Sequence, residues 1–396
     1  MNIHLVTHTH WDREWYRTYE EFRIFLVELF DDLLDHLQNH PNYHYFLLDG
    51  QVVLLEDYLS VRPEQADRLK QCIQSGKIII GPMYTQPDEY IPSAEALVRN
   101  FLLGSLICER YDRKMEIGYF PDSFGQASQI PQILNGFGID KAVFWRGLCD
   151  KQLTKTEFIW QSADGSKVTT VWMPFSYGNA YMMPADKDGI IEFTKNALDS
   201  LGKMATTDNI LFMRGWDHSG FSPEVEEILQ IVNEEPSLEG TKMIHSNLDI
   251  LFEAIQKEDP KLQTLQGEFR EPKTMRIHPG IDASRTDLKQ LNRKCQTLLE
   301  KFVEPVCALS WILGSTYPQA MINQAWKYIL QSQAHDSMCG CCTDQAARDA
   351  RHRFMNALDI EEPILMRAAS IYARYQKTNE QDGIPILTIN PLPYRR

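Results

Sequence analysis

No stretch of the 396-residue chain approaches the roughly 20 consecutive apolar residues that a membrane-spanning helix requires. Met1 to His10 has neither a basic start nor an apolar run of signal-peptide length, so a cytoplasmic protein without a membrane partner is expected. Positive charge is scarce: 40 Lys and Arg stand against 54 Asp and Glu, a net charge of −14. A nucleic-acid partner needs clustered basic residues, so that class is set aside in favour of a small neutral or weakly acidic molecule. A second cysteine pair that could join Cys339-Gly-Cys-Cys342 in a thiolate site is missing as well. The eight cysteines are dispersed except for Cys339, Cys341 and Cys342. That excludes a disulfide-stapled scaffold and gives no support to a thiolate zinc site; the three read as reduced packing residues beside a site. Internal repeats and low-complexity segments are also absent.

What the chain has is an ordinary globular balance, 43% hydrophobic and 24% charged, with length enough for two or three domains. The first 250 residues or so alternate short apolar runs with stretches of helical period. The runs are Ile3–Thr7, Tyr43–Leu48, Lys77–Ile80, Met115–Phe120, Ala142–Trp145, Lys167–Trp172, Ile210–Met213 and Lys242–His245. Between them, Tyr19–Leu37, Pro63–Gln74 and Ala94–Arg110 read as helices. This alternation predicts a parallel α/β sheet covered by helices, either a barrel or an open doubly wound sheet. One hairpin interrupts it, Glu157–Gln161 and Lys167–Trp172 around Asp164-Gly165. After about residue 265 the strands give way to three long helices, Asp287–Phe302, Gln319–Gln333 and Asp344–Tyr375, which predict a bundle. Leu288, Leu291, Cys295, Leu298, Leu299 and Phe302 form the buried face of the first, and Thr343 caps the last. Gly383 to Pro391 then reads as a single strand.

Polar clusters follow the apolar runs. His8-Thr-His10-Trp-Asp12 follows the first, Asp49-Gly50 the second, and Pro87-Asp88-Glu89 the third. Asp122 in Pro-Asp-Ser-Phe-Gly follows the fourth, Arg146-Gly147 the fifth, and Gly215-Trp-Asp217-His218 the strand around Leu211. Parallel α/β folds gather their working residues at the carboxyl ends of strands. If the first strand continues, alternation puts His8, His10 and Asp12 on one face. Imidazole and carboxylate converging there form part of a site for zinc or a similar divalent ion, with His8 open to the lesser role of orienting a ligand. Zinc needs further ligands, and Asp122 and His335-Asp336 are candidates, each at the end of an element.

These residues carry a family resemblance. His8-Thr-His-Trp-Asp12, Leu48-Asp-Gly-Gln51, Pro121-Asp-Ser-Phe-Gly125, Gly280-Ile-Asp-Ala-Ser-Arg285 with Lys289-Gln-Leu-Asn292, and Ala334-His-Asp-Ser-Met-Cys-Gly340 together resemble glycoside hydrolase family 38. These are the class II α-mannosidases, and the chain looks closest to the bacterial branch. The resemblance covers the whole chain. It implies a (β/α)7-type barrel at 1–265, a three-helix bundle at 266–378 and, at 379–396, the first strand of a truncated β-sandwich. It implies one zinc per chain, bound by His10, Asp12, Asp122 and His335. Asp122 is then also the nucleophile, Asp336 touches the sugar, Trp15 is the platform under the mannose, and Arg146 stands near the nucleophile. Asp217 is the best match for the general acid/base. Its setting departs from the paired acids of the animal members, so Asp88 and Glu89 compete with it. A homodimer formed through the missing C-terminal part is left open.

The implied activity is a retaining α-mannosidase acting through a covalent mannosyl-aspartate. The alternatives are a 2-O-mannosylglycerate hydrolase of the same family, with Arg13, Arg17 and Arg146 available to an anionic aglycone, and a metal-dependent carbohydrate deacetylase. A sugar-binding protein without activity is the reading from outside enzymology.

Overall fold

The computed structural model describes residues 1–149, 151–272, 276–379, 381 and 383–390. The strands among them are β1 (Asn2–Thr9), β2 (Phe46–Leu48), β3 (Ile78–Ile79), β4 (Gly118–Phe120), β5 (Lys141–Phe144), β6 (Glu157–Gln161), β7 (Lys167–Trp172), β8 (Asn209–Arg214), β9 (Lys242–His245) and β10 (Gln263–Gln266). β1 is buried on both faces from Ile3 to Thr9, as expected of a central strand covered by helices on either side. β8 runs parallel along one edge of it, Asn2–Thr7 against Asn209–Arg214. Its other edge is shared by β9 and, nearer the carboxyl end, β2. β3 completes this five-stranded sheet. A second five-stranded sheet has the order β10-β6-β7-β5-β4. It is parallel apart from the β6–β7 hairpin, which turns at Asp164-Gly165 with Gly165 at φ +93°, as the sequence predicts.

The closed seven-stranded barrel is not formed. The two sheets meet without a continuous ladder, for reasons visible at both seams. The edge of β8 facing β7 is occupied by the loop after β7. Asn179 Nδ2 donates to Leu211 O at 2.9 Å, Asn179 Oδ1 accepts from Met213 N at 2.7 Å, and Ala180 N donates to Met213 O at 3.0 Å. An amide side chain thus satisfies the backbone groups a neighbouring strand would have paired. At the other seam β3 has two residues and β4 three; Met115 N donates to Ile80 O there.

The helical region has three long arms. The first runs through Thr286–Leu298, a π turn at Leu299–Val303, and Glu304–Ile312; the others are Gln319–Ser332 and Asp344–Arg374. The extra residue of the π turn rotates the buried face, so Val303 is buried and Phe302, expected inside, is 36% exposed. Thr343 caps the third arm by accepting from Ala346 N. Of the strand expected at 379–396, the described residues show no ladder. Residues 383–390 pair with nothing as a strand, and Ile384 and Ile386 are 92% and 87% exposed, because a strand is stable only beside a neighbour. Positions 391–396 lie outside the described residues. Among the described residues no helix is long and apolar enough to cross a membrane, and all eight cysteines are free thiols.

Candidate active site

The carboxyl ends of β1, β2, β4, β5, β7 and β8 converge, and the segment between the second and third arms of the bundle closes over them. Past β1 and β8 the pairing continues as a single bridge between His10 and Asp217, with His218 N donating to His10 O at 2.8 Å and His10 N to Trp216 O at 3.2 Å. The chains approach so closely that a Cβ on Gly215 would stand 1.9 Å from His8 O. Glycine at that position is what brings Asp217 beside His10.

His10 Nδ1 lies 3.0 Å from Asp49 Oδ1. With the proton on Nδ1, the lone pair of Nε2 faces the other way, 3.2 Å from Asp12 Oδ1. His335, first residue of the short helix His335–Cys339, is held in the same sense. Its Nδ1 donates to Gln86 O at 3.2 Å, and its Nε2 also lies 3.2 Å from Asp12 Oδ1. His10 Nε2, His335 Nε2 and Asp12 Oδ1 are buried and have no hydrogen-bond partner, although such groups are rarely left unsatisfied. Two imidazole nitrogens with their opposite N–H groups anchored, facing one carboxylate oxygen, form the donor set of a zinc-type ion with its supporting shell. Among the described residues these are the three that can share a metal. Burial disfavours protonation of both rings, yet carboxylates raise both pKa values well above the usual histidine range, Asp49 and Asp12 for His10, Asp336 and Asp12 for His335. A bound cation would take the place of those protons.

Asp122 stands at the rim of this group. Its Oδ2 is 3.6 Å from His335 Nε2, while its Oδ1 accepts from Arg146 Nε at 2.6 Å. Arg146 Nη1 is tied to Arg276 O, and its guanidinium lies over the Trp145 ring. Burial alone would raise the Asp122 pKa, but Arg146, then His335 and His10, hold it below the ordinary carboxylate value. Asp217 goes the other way. Burial raises its pKa, His10 opposes this, and the Asp12 and Asp122 charges add to the rise. Its Oδ1 accepts from Tyr177 Oη at 2.5 Å.

The competing acids have other work. Asp88 Oδ1 accepts from the backbone N of Tyr90 and Ile91, shaping its loop, and its Oδ2 accepts from the Cys339 thiol. Glu89 accepts from Ala127 N and is buried, with its pKa pushed well up. Asp336 lies beside His335, its Nε2–Oδ2 separation 3.9 Å; burial and Asp12 raise its pKa strongly, and Cys341 donates to it at 3.0 Å. The cysteine cluster therefore borders the site through its thiols. Trp15 packs against Tyr16 and the main core, and its carbonyl accepts from Thr343 N.

His8 is not among the metal-facing atoms. Its Nε2 lies 2.7 Å from Tyr177 O, and burial lowers its pKa to about 4, so a neutral ring supports the loop carrying Tyr177. Tyr177 escapes a reading of the sequence, since no cluster of charged or histidine residues follows β7. His218 adds a support nearby, with Nε2 3.0 Å from Asp12 O and its ring stacked on Phe22.

Comparison with known proteins places this geometry. The description "Glycosyl hydrolases family 38 N-terminal domain" matches residues 1–271, and "Alpha mannosidase middle domain" matches 276–370. A protein of Halalkalibacterium halodurans named "Putative mannosylglycerate hydrolase" is 37% identical over 89% of this chain and 40% of its own length. Mouse alpha-mannosidase 2C1 is 25% identical over 100% of this chain and 37% of its own. The crystal structure of an alpha-mannosidase from Enterococcus faecalis V583 superposes with a TM-score of 0.90 at 35% identity, covering 94% of this chain and 43% of that one. The chain thus spans about two fifths of the length of these curated relatives. With two consecutive family descriptions matched in order, and the strand-end residues gathered at one place, the chain belongs to glycosyl hydrolase family 38.

Proposed function

We propose that this chain carries the metal site and both catalytic carboxyl groups of a zinc-dependent retaining α-mannosidase. The observation that carries this reading is a pair of partly buried carboxyl groups pushed in opposite directions. Asp122 is held ionised by Arg146 at the edge of the His10–Asp12–His335 group, and Asp217 is held toward its protonated form across from it. Such a split assigns nucleophile and acid.

The unsatisfied donors of His10, Asp12 and His335 suit one zinc ion, with Asp122 as the fourth ligand. When bound, the ion supplies Lewis acidity toward the sugar hydroxyls and favours the ionised form of Asp122. The rest is done by side chains. Asp122 attacks C1 of the mannoside while Asp217 gives its proton to the glycosidic oxygen, the C1–oxygen bond breaks, and a mannosyl ester of Asp122 forms. Asp217, now a base, takes a proton from water, whose oxygen attacks C1 and releases Asp122. Arg146 keeps the Asp122 carboxylate aimed and charged, and Tyr177 donates to Asp217. Asp336 and Trp15 are assigned to the sugar on the family pattern. Free thiols and a cytoplasmic setting accord with this reading.

A 2-O-mannosylglycerate substrate is favoured by one finding, the name of the H. halodurans relative. Of the three arginines expected for an anionic aglycone, two are engaged. Arg13 forms a buried fork on Asp57, and Arg146 is held on Asp122. Arg17 is exposed, with its guanidinium 5.2 Å from the Phe25 ring centroid.

A fluorinated mannosyl substrate should trap an ester on Asp122, seen by peptide mass analysis. An active enzyme that gives no adduct there would sink the retaining mechanism and revive the water-activating deacetylase chemistry. Mannose release from mannosylglycerate, set against α-1,2-, α-1,3- and α-1,6-mannobiose, decides the aglycone.

A further inference from the structure

The metal-facing atoms come from two bodies. His10 and Asp12 belong to the loop after β1, whereas His335 comes from the segment between the second and third arms of the bundle. Both imidazole Nε2 atoms must face the same oxygen of Asp12, so the site exists only while the two bodies keep one relative position. Packing of apolar faces is non-directional and fixes such a position loosely.

A buried polar link joins the bodies next to the ligands. Glu14, two residues after Asp12, is 1% exposed. Its Oε1 accepts from Ser337 Oγ at 2.6 Å, two residues after His335. The guanidinium of Arg353, on the third arm, grips both Glu14 oxygens: Nη1 donates to Oε2 at 3.0 Å and Nη2 to Oε1. The same guanidinium donates through Nε to Ser332 Oγ at 3.0 Å, and Ser332 in turn bonds to Ala350 O. Glu14 and Arg353 are 339 residues apart in sequence. One carboxylate and one guanidinium therefore tie the Asp12 loop, both flanks of His335 and the third arm into a single bonded unit. Thr343 N, bonded to Trp15 O at 2.9 Å, adds a backbone tie alongside.

Taking this pair out of water costs several kcal/mol per ion, and apolar residues of similar size often serve stability as well or better. The bidentate fork, in contrast, is a directional contact with one geometry. We propose that Glu14 and Arg353 are positioning residues that set the separation between the two halves of the metal site. Their benefit then lies in metal affinity more than in folding stability. The proposal rests on the reading of His10, Asp12 and His335 as a metal site. Both Glu14 oxygens are engaged by Ser337 and Arg353, so the residue acts on the site through position rather than by ligation.

The test compares thermal stability with zinc affinity, the latter by competition against a chromophoric chelator. It uses the full chain and three variants: Arg353→Lys, Arg353→Met, and the double Glu14→Leu/Arg353→Met. Arg353→Lys keeps the charge and removes the fork; it should fold and bind zinc at least about tenfold more weakly, in the range seen when supporting contacts of metal ligands are lost. Arg353→Met leaves Glu14 buried without its partner and should lower both stability and affinity. The double variant should regain the melting temperature while zinc affinity stays at least about tenfold down. Stability and affinity recovering together in the double variant would make the pair a fold-stabilising contact only and overturn the proposal. So would unchanged zinc affinity in Arg353→Lys. A wild-type chain that binds no divalent ion overturns the metal reading and the brace with it. A wild type that binds, with variants that bind equally, overturns the brace alone.

Discussion

Asp122, partly buried at the strand ends, and Glu361, buried on the third arm of the bundle, are carboxyl groups that end in opposite states. Asp122 meets Arg146 at 2.6 Å and keeps its charge. Glu361 is fully buried, and neither of its oxygens has a hydrogen-bond partner. Lys294, whose charge acts on Glu361, is paired with Glu362 at 3.0 Å. Burial, with the Glu362 charge adding to it, raises the Glu361 pKa to about 8. Burial presses both acids toward neutrality, and the local partner decides whether it succeeds. A buried acid becomes a candidate for chemistry when its surroundings are built to hold a chosen protonation state. One that is merely dry is a cost to the fold.

The sharpest way to break that contrast is to remove the acid whose charge is cared for. Asp122→Ala should lower kcat by roughly 10⁴-fold or more, the scale expected when a covalent nucleophile is lost, with the melting temperature little changed. Activity retained within tenfold would mean that the Arg146–Asp122 pair is structural and that the two acids differ less than their surroundings indicate.

Asp217 tests the same contrast from the protonated side. Asp217→Asn removes the proton donor and should cost about 10²–10⁴-fold in kcat on a natural mannoside. An aryl mannoside with an acidic phenol leaving group needs little protonation and should lose far less. Because burial raises the Asp217 pKa, the acid stays loaded toward higher pH, and the alkaline limb of the wild-type kcat/KM profile should lie above the ordinary carboxylate range. Equal losses on both substrates would move the acid role elsewhere, with Glu89 next in line.

Much of this was legible in the residues, and the exceptions share a cause. His10 and Asp12 could be singled out because alternation along one strand is local, whereas Asp122 and Arg146, although each follows an apolar run, take their roles mainly from the family resemblance. The hairpin at Asp164-Gly165 and the Thr343 cap are local too. The open seam between β7 and β8 could not be read, since it depends on where the amide of Asn179 lands. Tyr177 and the Glu14–Arg353 fork are tertiary meetings with no spacing rule behind them. The π turn that exposes Phe302 shifts burial by one residue inside an otherwise regular helix, below what periodicity can resolve. The terminal segment shows the opposite case: Ile384 and Ile386 have the right local pattern, but among the described residues no strand pairs with them.

Glu361 gives the smallest expected effect and the cleanest sign. Its pKa is about 8 in the folded chain against 4.5 as the ordinary value, so between those limits the folded state binds the extra proton. Stability then falls as pH rises. The loss begins once pH passes the unfolded value and is complete above the folded one, where the carboxylate is charged in both states. Glu361→Gln keeps the shape and removes the titration. It should leave stability near pH 5 almost unchanged and raise it by about 1–3 kcal/mol at pH 8.5, the scale of an unsatisfied buried polar group, as read from urea midpoints at the two pH values. Wild type and variant falling in parallel would show that Glu361 finds a partner or water in solution. Asp122 and Glu361 would then differ in degree and not in kind.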